Sequence, residues 1–208
     1  MRHWRGWMAA GAVLAVLGAS GDVRAGFITG VTIHQVSSEF TASGWDLRAI
    51  HLVDGSGLVG AGHNQTIYPG GESWQTSTSS GTGMVAFDLG GLYDLDRVHV
   101  WNYNMYDPWY QRGAERVNIS LSTDGSNWTS VGEYLFPIAT GLDGDLGFDI
   151  SASSWDPTRY VKFDILEAHG PNTSGHVGLS EVQFMVPEPS TLPLLGLSLL
   201  LLRRRRRA

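Results

Sequence analysis

The chain has 208 residues and no cysteine, and its formal net charge at pH 7 is −6. The absence of cysteine excludes a disulfide framework and thiolate metal sites. Residues 26–189 hold six basic and 19 acidic side chains, a net charge of −13. So acidic a segment repels phosphate backbones, and we do not expect nucleic acid as a partner.

The first 25 residues have the pattern of a signal peptide. Arg2 and Arg5 precede an uncharged apolar run. Val23 and Ala25 occupy the positions before the cleavage site that a signal peptidase recognises. The apolar run is shorter than the roughly 20 residues that a membrane-spanning helix needs. We predict cleavage after Ala25, with a retained N-terminal anchor as the alternative.

The body of the chain, residues 26–186, alternates apolar and polar residues with a period of two. The clearest runs are Val85–Leu89, Val98–Val100, Val117–Leu121, Val161–Ile165 and Val182–Val186. Each run predicts a strand with one buried and one solvated face. Turn signals such as Asp124-Gly125 separate the runs, and no window has a helical period. The pattern predicts one all-β domain, an antiparallel β-sandwich.

The segment 102–112 is rich in aromatic and polar side chains. Aromatic rings stack on sugar rings, while amide and guanidinium groups form hydrogen bonds with hydroxyl groups. The candidate carbohydrate-binding residues are Asn104, Trp109, Tyr110 and Arg112. The alternative is local packing of the loop, which we favour for Trp101 and Tyr103.

The C-terminal tail has three parts in a fixed order. Pro187, Glu188 and Pro189 precede the apolar run Leu192–Leu202, and Arg203–Arg207 follow. The run spans about 17 Å as a helix, too short for a robust membrane anchor, and the arginines indicate a cytoplasmic stop. We predict a short hydrophobic helix used as a processing signal, with an ordinary tail anchor as the alternative.

The tail resembles the PEP-CTERM sorting signal in order, spacing and position. This resemblance implies export across the inner membrane of a Gram-negative bacterium and recognition of Pro187, Glu188 and Pro189 by an exosortase. It also implies transient membrane association, followed by location at the cell surface or in a biofilm matrix. The expected organisation is a signal peptide at 1–25, a domain at 26–186 and a sorting tail at 187–208.

The body resembles a discoidin domain, the coagulation-factor type C family of galactose-binding-like jelly rolls. The motifs that carry the resemblance are Asp54-Gly55, Trp74, Val85–Gly90, Val98–Asn104, Arg112-Gly113, Ser122–Trp128, Arg159–Phe163 and Gly178–Phe184. The family implies a structural calcium ion, with Asp54 and Glu181 as its ligands here. Oxygen ligands from a turn and a strand suit calcium. The alternative is that Asp54 shapes its turn and Glu181 is a solvated strand residue.

Three classes of function remain after these observations. The favoured one is an exported, non-catalytic module that binds carbohydrate, either an exopolysaccharide or a cell-surface glycan. The second is a structural or adhesive matrix protein without a small-ligand site. We do not expect an enzyme, because the sequence contains no catalytic constellation.

Overall fold

The computed structural model describes residues 26–170 and 175–187. This part of the chain is built of short and medium-length strands and two 3-10 helices. The strands are β1 (Thr32–Val36), β2 (Phe40–Ala42), β3 (Trp45–Leu47), β4 (Leu58–Val59), β5 (Gly62–His63), β6 (Trp74–Gln75), β7 (Gly83–Tyr93), β8 (Arg97–Asn102), β9 (Ala114–Ser122), β10 (Thr129–Leu135), β11 (Phe148–Ser151), β12 (Thr158–Ala168) and β13 (Gly178–Met185). The 3-10 helices are Ala49–Leu52 and Trp109–Arg112.

Two antiparallel sheets face each other across the core. One has five strands in the order β1-β7-β12-β9-β10, and the other has four in the order β11-β8-β13-β6. The pairs β2-β3 and β4-β5 form separate hairpins. The predicted antiparallel β-sandwich is therefore confirmed. The predicted signal peptide and hydrophobic tail helix lie outside the described residues.

The five runs with a period of two fall in β7, β8, β9, β12 and β13, and only Val186 lies one residue beyond its strand. Their apolar residues face inward because side chains alternate between the two faces of a strand. Phe87 shows the result most clearly: its ring centroid lies 5.5 Å from that of Phe163 in the same sheet and 5.2 Å from that of Phe184 in the other. All three rings are fully buried. They join the two sheets at the centre of the core.

The two ends of the sandwich contain different segments of the chain. Strand β13 runs antiparallel to β8, with Leu179 opposite Asn102 and Met185 opposite Arg97. Phe27 forms a bridge with Met185, so the described N-terminal residues and the start of the tail meet at one end, which we call the terminal end. The β4-β5 hairpin with the residues up to 73, and the connections 103–113 and 136–147, lie at the opposite end, which we call the loop end.

A small second core cluster supports the loop end. Leu47, Tyr103 and Met105 are buried there, and Phe40, Trp45, Tyr106 and Trp109 pack around them. The hairpin β2-β3 supplies part of this cluster and is not among the predicted strands, because three-residue strands are too short to display a period. Within the described residues, no helix is long and apolar enough to cross a membrane.

Candidate functional site

An open pocket with a volume of about 180 Å³ lies at the loop end, between the β2-β3 hairpin and the segment 105–112. Its walls are mainly aromatic and aliphatic. The lining residues are Phe40, Trp45, Leu47, Gln75, Met105, Tyr106, Trp109 and Arg112. Leu47 and Met105, which are buried, form the floor, while the rings of Tyr106 and Trp109 are partly exposed. The pocket is thus a shallow depression with flat, accessible rings.

Trp109 and Arg112 are held together as a stacked pair. A 3-10 helix covers both residues, and the backbone N–H of Trp109 donates to the Tyr106 carbonyl at 2.8 Å. The guanidinium carbon of Arg112 lies 4.2 Å from the centroid of the Trp109 ring, a cation–π distance. Burial lowers the pKa of Arg112, and Tyr103 opposes the shift. Because an arginine starts from so high a pKa, the group stays charged and a donor.

Gln75 forms the polar side of the pocket. Its side chain is 1% exposed, and its Oε1 atom accepts from the Tyr103 hydroxyl at 2.7 Å and from Arg112 Nη1 at 2.8 Å. Burial raises the pKa of Tyr103 well above its usual value, so that hydroxyl keeps its proton. Gln75 is not among the binding residues predicted from the sequence. The signal that the sequence offers for it is a polar residue directly after Trp74.

Two of the predicted carbohydrate-binding residues lie elsewhere. Asn104 is fully buried: its Nδ2 donates to the carbonyls of His63 and Leu142, and its Oδ1 accepts from Gly141. Asn104 thus has a structural position, since its amide is committed to joining three loops. Tyr110 does not line the pocket, and its ring packs against Gly141, where an added Cβ would approach it to 2.8 Å. Neither residue belongs to the proposed binding surface.

The structure brings Asp54 and Glu181 close together on the outside of the four-stranded sheet. Glu181 is 2% exposed and points away from the core, because its neighbour Val182 points into it. Asp54 follows the first 3-10 helix, and its Oδ1 accepts from the backbone N–H of Ser56 at 2.9 Å. Its Oδ2 lies 2.9 Å from His51 Nδ1. The alternative that Glu181 is a solvated strand residue is therefore wrong, while the hydrogen bond to Ser56 agrees with the alternative role of Asp54 in shaping its turn.

The pKa values of Glu181 and Asp54 are shifted in opposite directions. Burial, together with the nearby charge of Asp54, raises the pKa of Glu181 to about 8, and the backbone N–H of Gly55 acts in the opposite direction. Burial also raises the pKa of Asp54, but hydrogen bonds from Ser56 and His51 outweigh this effect and leave it below its ordinary value. Glu181 Oε2 is buried without a hydrogen-bond partner among the described residues.

A cation would satisfy these two carboxylates, because it supplies positive charge to the atom that lacks a partner. The described residues contain no group of three or more His, Asp or Glu side chains arranged around a metal. Backbone carbonyls and water would have to complete the shell, as calcium commonly allows. Asp54 and Glu181 thus fit the ion that the resemblance implies, although they form an incomplete set by themselves.

Comparison with known proteins identifies a sorting motif and a fold. Residues 186–207 match the model of the PEP-CTERM protein-sorting motif. Pro187 is the last described residue of the predicted sorting motif; Glu188 and Pro189 lie outside the described residues. No curated protein sequence matches the chain.

The sandwich is similar in fold to parts of several carbohydrate-active proteins of known structure. A fragment of a putative chitobiase from Bacteroides thetaiotaomicron has a TM-score of 0.55 and 17% identity, over 84% of this chain and 99% of that one. A family 32 carbohydrate-binding module of a Clostridium perfringens family 89 glycoside hydrolase, in complex with GalNAc-β-1,3-galactose, has a TM-score of 0.54 and 17% identity, over 78% and 100%.

The match to a much longer chain of that hydrolase, in complex with GlcNAc-α-1,4-galactose, has a TM-score of 0.51 and 16% identity over 80% of this chain. The match covers only 16% of the enzyme's length. The similarity therefore concerns one module of the enzyme. The chain combines a discoidin-like β-sandwich, with the fold of family 32 carbohydrate-binding modules, and a PEP-CTERM sorting motif, which marks it as an exported protein sorted to the cell envelope.

Proposed function

We propose that the sandwich is a non-catalytic module that binds carbohydrate at the cell surface or in a secreted polysaccharide matrix. The observation that carries this proposal is the pocket at the loop end, where the partly exposed Trp109 ring is fixed by Arg112 at 4.2 Å. A fixed ring loses little conformational freedom when it stacks on a sugar. The partly exposed ring favours ligand binding over a purely structural role of the protein, because in a purely structural role the aromatic rings of this segment are expected to be buried. The sugar in complex with the similar family 32 module, GalNAc-β-1,3-galactose, agrees with this proposal.

The proposal is tested by screening the purified exported protein on a glycan array, with and without calcium. We expect Trp109→Ala to weaken binding of any array ligand about tenfold or more, because it removes both the stacking surface and the partner of Arg112. Trp128→Ala is the matched control, since this half-buried tryptophan contacts Lys162 at the terminal end. Equal affinity of the Trp109→Ala variant and the unmodified protein would place binding elsewhere.

We also propose that calcium, bound by Asp54 and Glu181, is a structural ion of the module. The buried Oε2 of Glu181 and the adjacent Asp54 carboxylate support this proposal. When bound, the ion would supply the positive charge that lets both groups ionise together. Asp54 and Glu181 link the loop after the first 3-10 helix to β13. The ion would therefore stabilise the fold rather than contact the sugar.

For the tail, we propose processing by an exosortase near Pro187, Glu188 and Pro189. The match to the sorting motif over residues 186–207 supports this step. The intact mass of the exported protein in its native host is expected to lack Leu192–Ala208. A chain in which alanine replaces Pro187, Glu188 and Pro189 is the control and should keep the tail. A native mass that still includes the five arginines would show that the tail is retained as an anchor.

A further inference from the structure

The sorting motif follows the sandwich without a spacer. Strand β13 ends at Met185, and the match to the sorting motif begins at the next residue, Val186. Val186 is partly buried and packs against the main core, whereas Pro187 is exposed. The first residue that stands clear of the sandwich is therefore the first proline of the motif. An enzyme that binds the motif must approach the terminal end of the sandwich closely.

The last residues of β13 are held on both of their hydrogen-bonding edges. On the side of β8, the Met185 carbonyl accepts from the backbone N–H of Asp96 at 2.8 Å. On the other side, the backbone N–H of Ile28 donates to the Phe184 carbonyl at 2.7 Å. Phe27 forms a bridge with Met185 on that same side. Both edges of the chain are therefore occupied up to the end of the strand.

An enzyme that cuts a peptide chain needs an extended segment whose backbone groups are free. Extended peptides are commonly held through main-chain hydrogen bonds, as an added strand is. The backbone groups of Phe184 and Met185 already make such contacts within the sandwich. Freeing them means withdrawing the fully buried ring of Phe184, whose centroid lies 5.2 Å from that of Phe87. Openings that reach into the core are populated in only a small fraction of molecules.

We propose that the folded sandwich sets the upstream limit of processing, so that the exosortase cuts the chain only after Pro187. The peptide bond that breaks then lies between Pro187 and Leu192. Its carbonyl carbon passes from the nitrogen of the tail to water or to an amine, and the tail leaves with a free amino group. The exported protein keeps Pro187 and loses the apolar run. This inference rests on the proposed processing by an exosortase and adds which bonds the fold leaves accessible.

The first test is the C-terminal residue of the exported protein, read from its intact mass and from its C-terminal peptide. We expect the chain to end at one of the residues 187–191. A protein that ends at Val186 or earlier would overturn the inference and leave the proposed processing intact. A protein that keeps the five arginines would contradict the processing itself, and this inference with it.

Moving the motif relative to the sandwich tests the cause of this limit. Deleting Met185 and Val186 brings the motif onto the paired end of β13, and a pulse-chase experiment in the native host should show processing about tenfold slower or more. The matched control inserts Gly-Ser-Gly-Ser after Val186. It also changes the spacing but leaves the motif clear of the strand, so it should be processed at least as fast as the unmodified chain. Equal rates for the deletion and the insertion would overturn the inference. If circular dichroism shows that the deletion variant does not fold, the C-terminal residue of the unmodified protein decides.

Discussion

In a calcium chelator, the sandwich is expected to lose stability steadily as the pH rises from about 5 to 8. In the folded protein, burial and the charge of Asp54 raise the pKa of Glu181 from 4.5 to about 8. Between these values the folded state keeps a proton that the unfolded state has released, so folding becomes less favourable as pH rises. The stabilisation is complete at a pH below the pKa of Glu181 in the unfolded chain. It is lost as the pH rises through the pKa of Glu181 in the folded protein. We expect a fall in the free energy of unfolding on the order of 3 kcal/mol.

The measurement is urea unfolding at a series of pH values, with chelator and with calcium. Calcium binds the ionised carboxylates, so at pH 8 it should restore about 2.7 kcal/mol when present at 100 times its dissociation constant. Glu181→Gln should remove the pH dependence in chelator, and Asp54→Asn should reduce it. Glu133→Gln is the control, because this carboxylate is exposed and paired with Arg116. A flat profile in chelator would contradict the burial of an ionisable Glu181. If calcium did not change the free energy of unfolding at pH 8, the proposed metal site would be contradicted, but the burial of Glu181 would not.

Phe163→Ala is expected to lower the free energy of unfolding by about 3–5 kcal/mol. The Phe163 ring is fully buried, with its centroid 5.5 Å from that of Phe87 and 5.8 Å from that of Phe136. Its removal leaves a cavity in the middle of β12, which pairs on both sides with β7 and β9. The surrounding strands cannot close this cavity without breaking their register. For a domain of this size, the melting temperature should fall by roughly 10 °C or more.

The control for this experiment is Leu135→Ala, at the end of β10, where the side chain is 77% exposed. It should change the free energy of unfolding by less than about 0.5 kcal/mol. Differential scanning calorimetry of both variants gives the comparison. If the free energy of unfolding fell by similar amounts in the two variants, Phe163 would not lie at the centre of the core.

The long strands and the sorting motif can be predicted from local patterns in the sequence. Alternation of apolar and polar residues predicts β7, β8, β9, β12 and β13, because a strand with one buried face must repeat every two residues. The sorting motif in the tail can also be recognised from the sequence, because a proline-flanked glutamate, an apolar run and five arginines form one continuous segment. Both signals are local in the chain, and tertiary contacts do not alter them.

Which loop residues share a surface depends on contacts between distant parts of the chain. Trp109 and Arg112 lie in one short helix, but Gln75 is 37 positions from Arg112 and reaches it through the pairing of β6 with β13. Asn104 and Trp109 lie in the same polar and aromatic segment of the sequence. In the structure, however, Asn104 is enclosed by three backbone groups from two other loops, those of His63, Gly141 and Leu142. Glu181 occupies a polar position in an alternating strand, and its burial depends on the loop around Asp54 that covers it. These outcomes depend on contacts distant in sequence, which a local period does not contain.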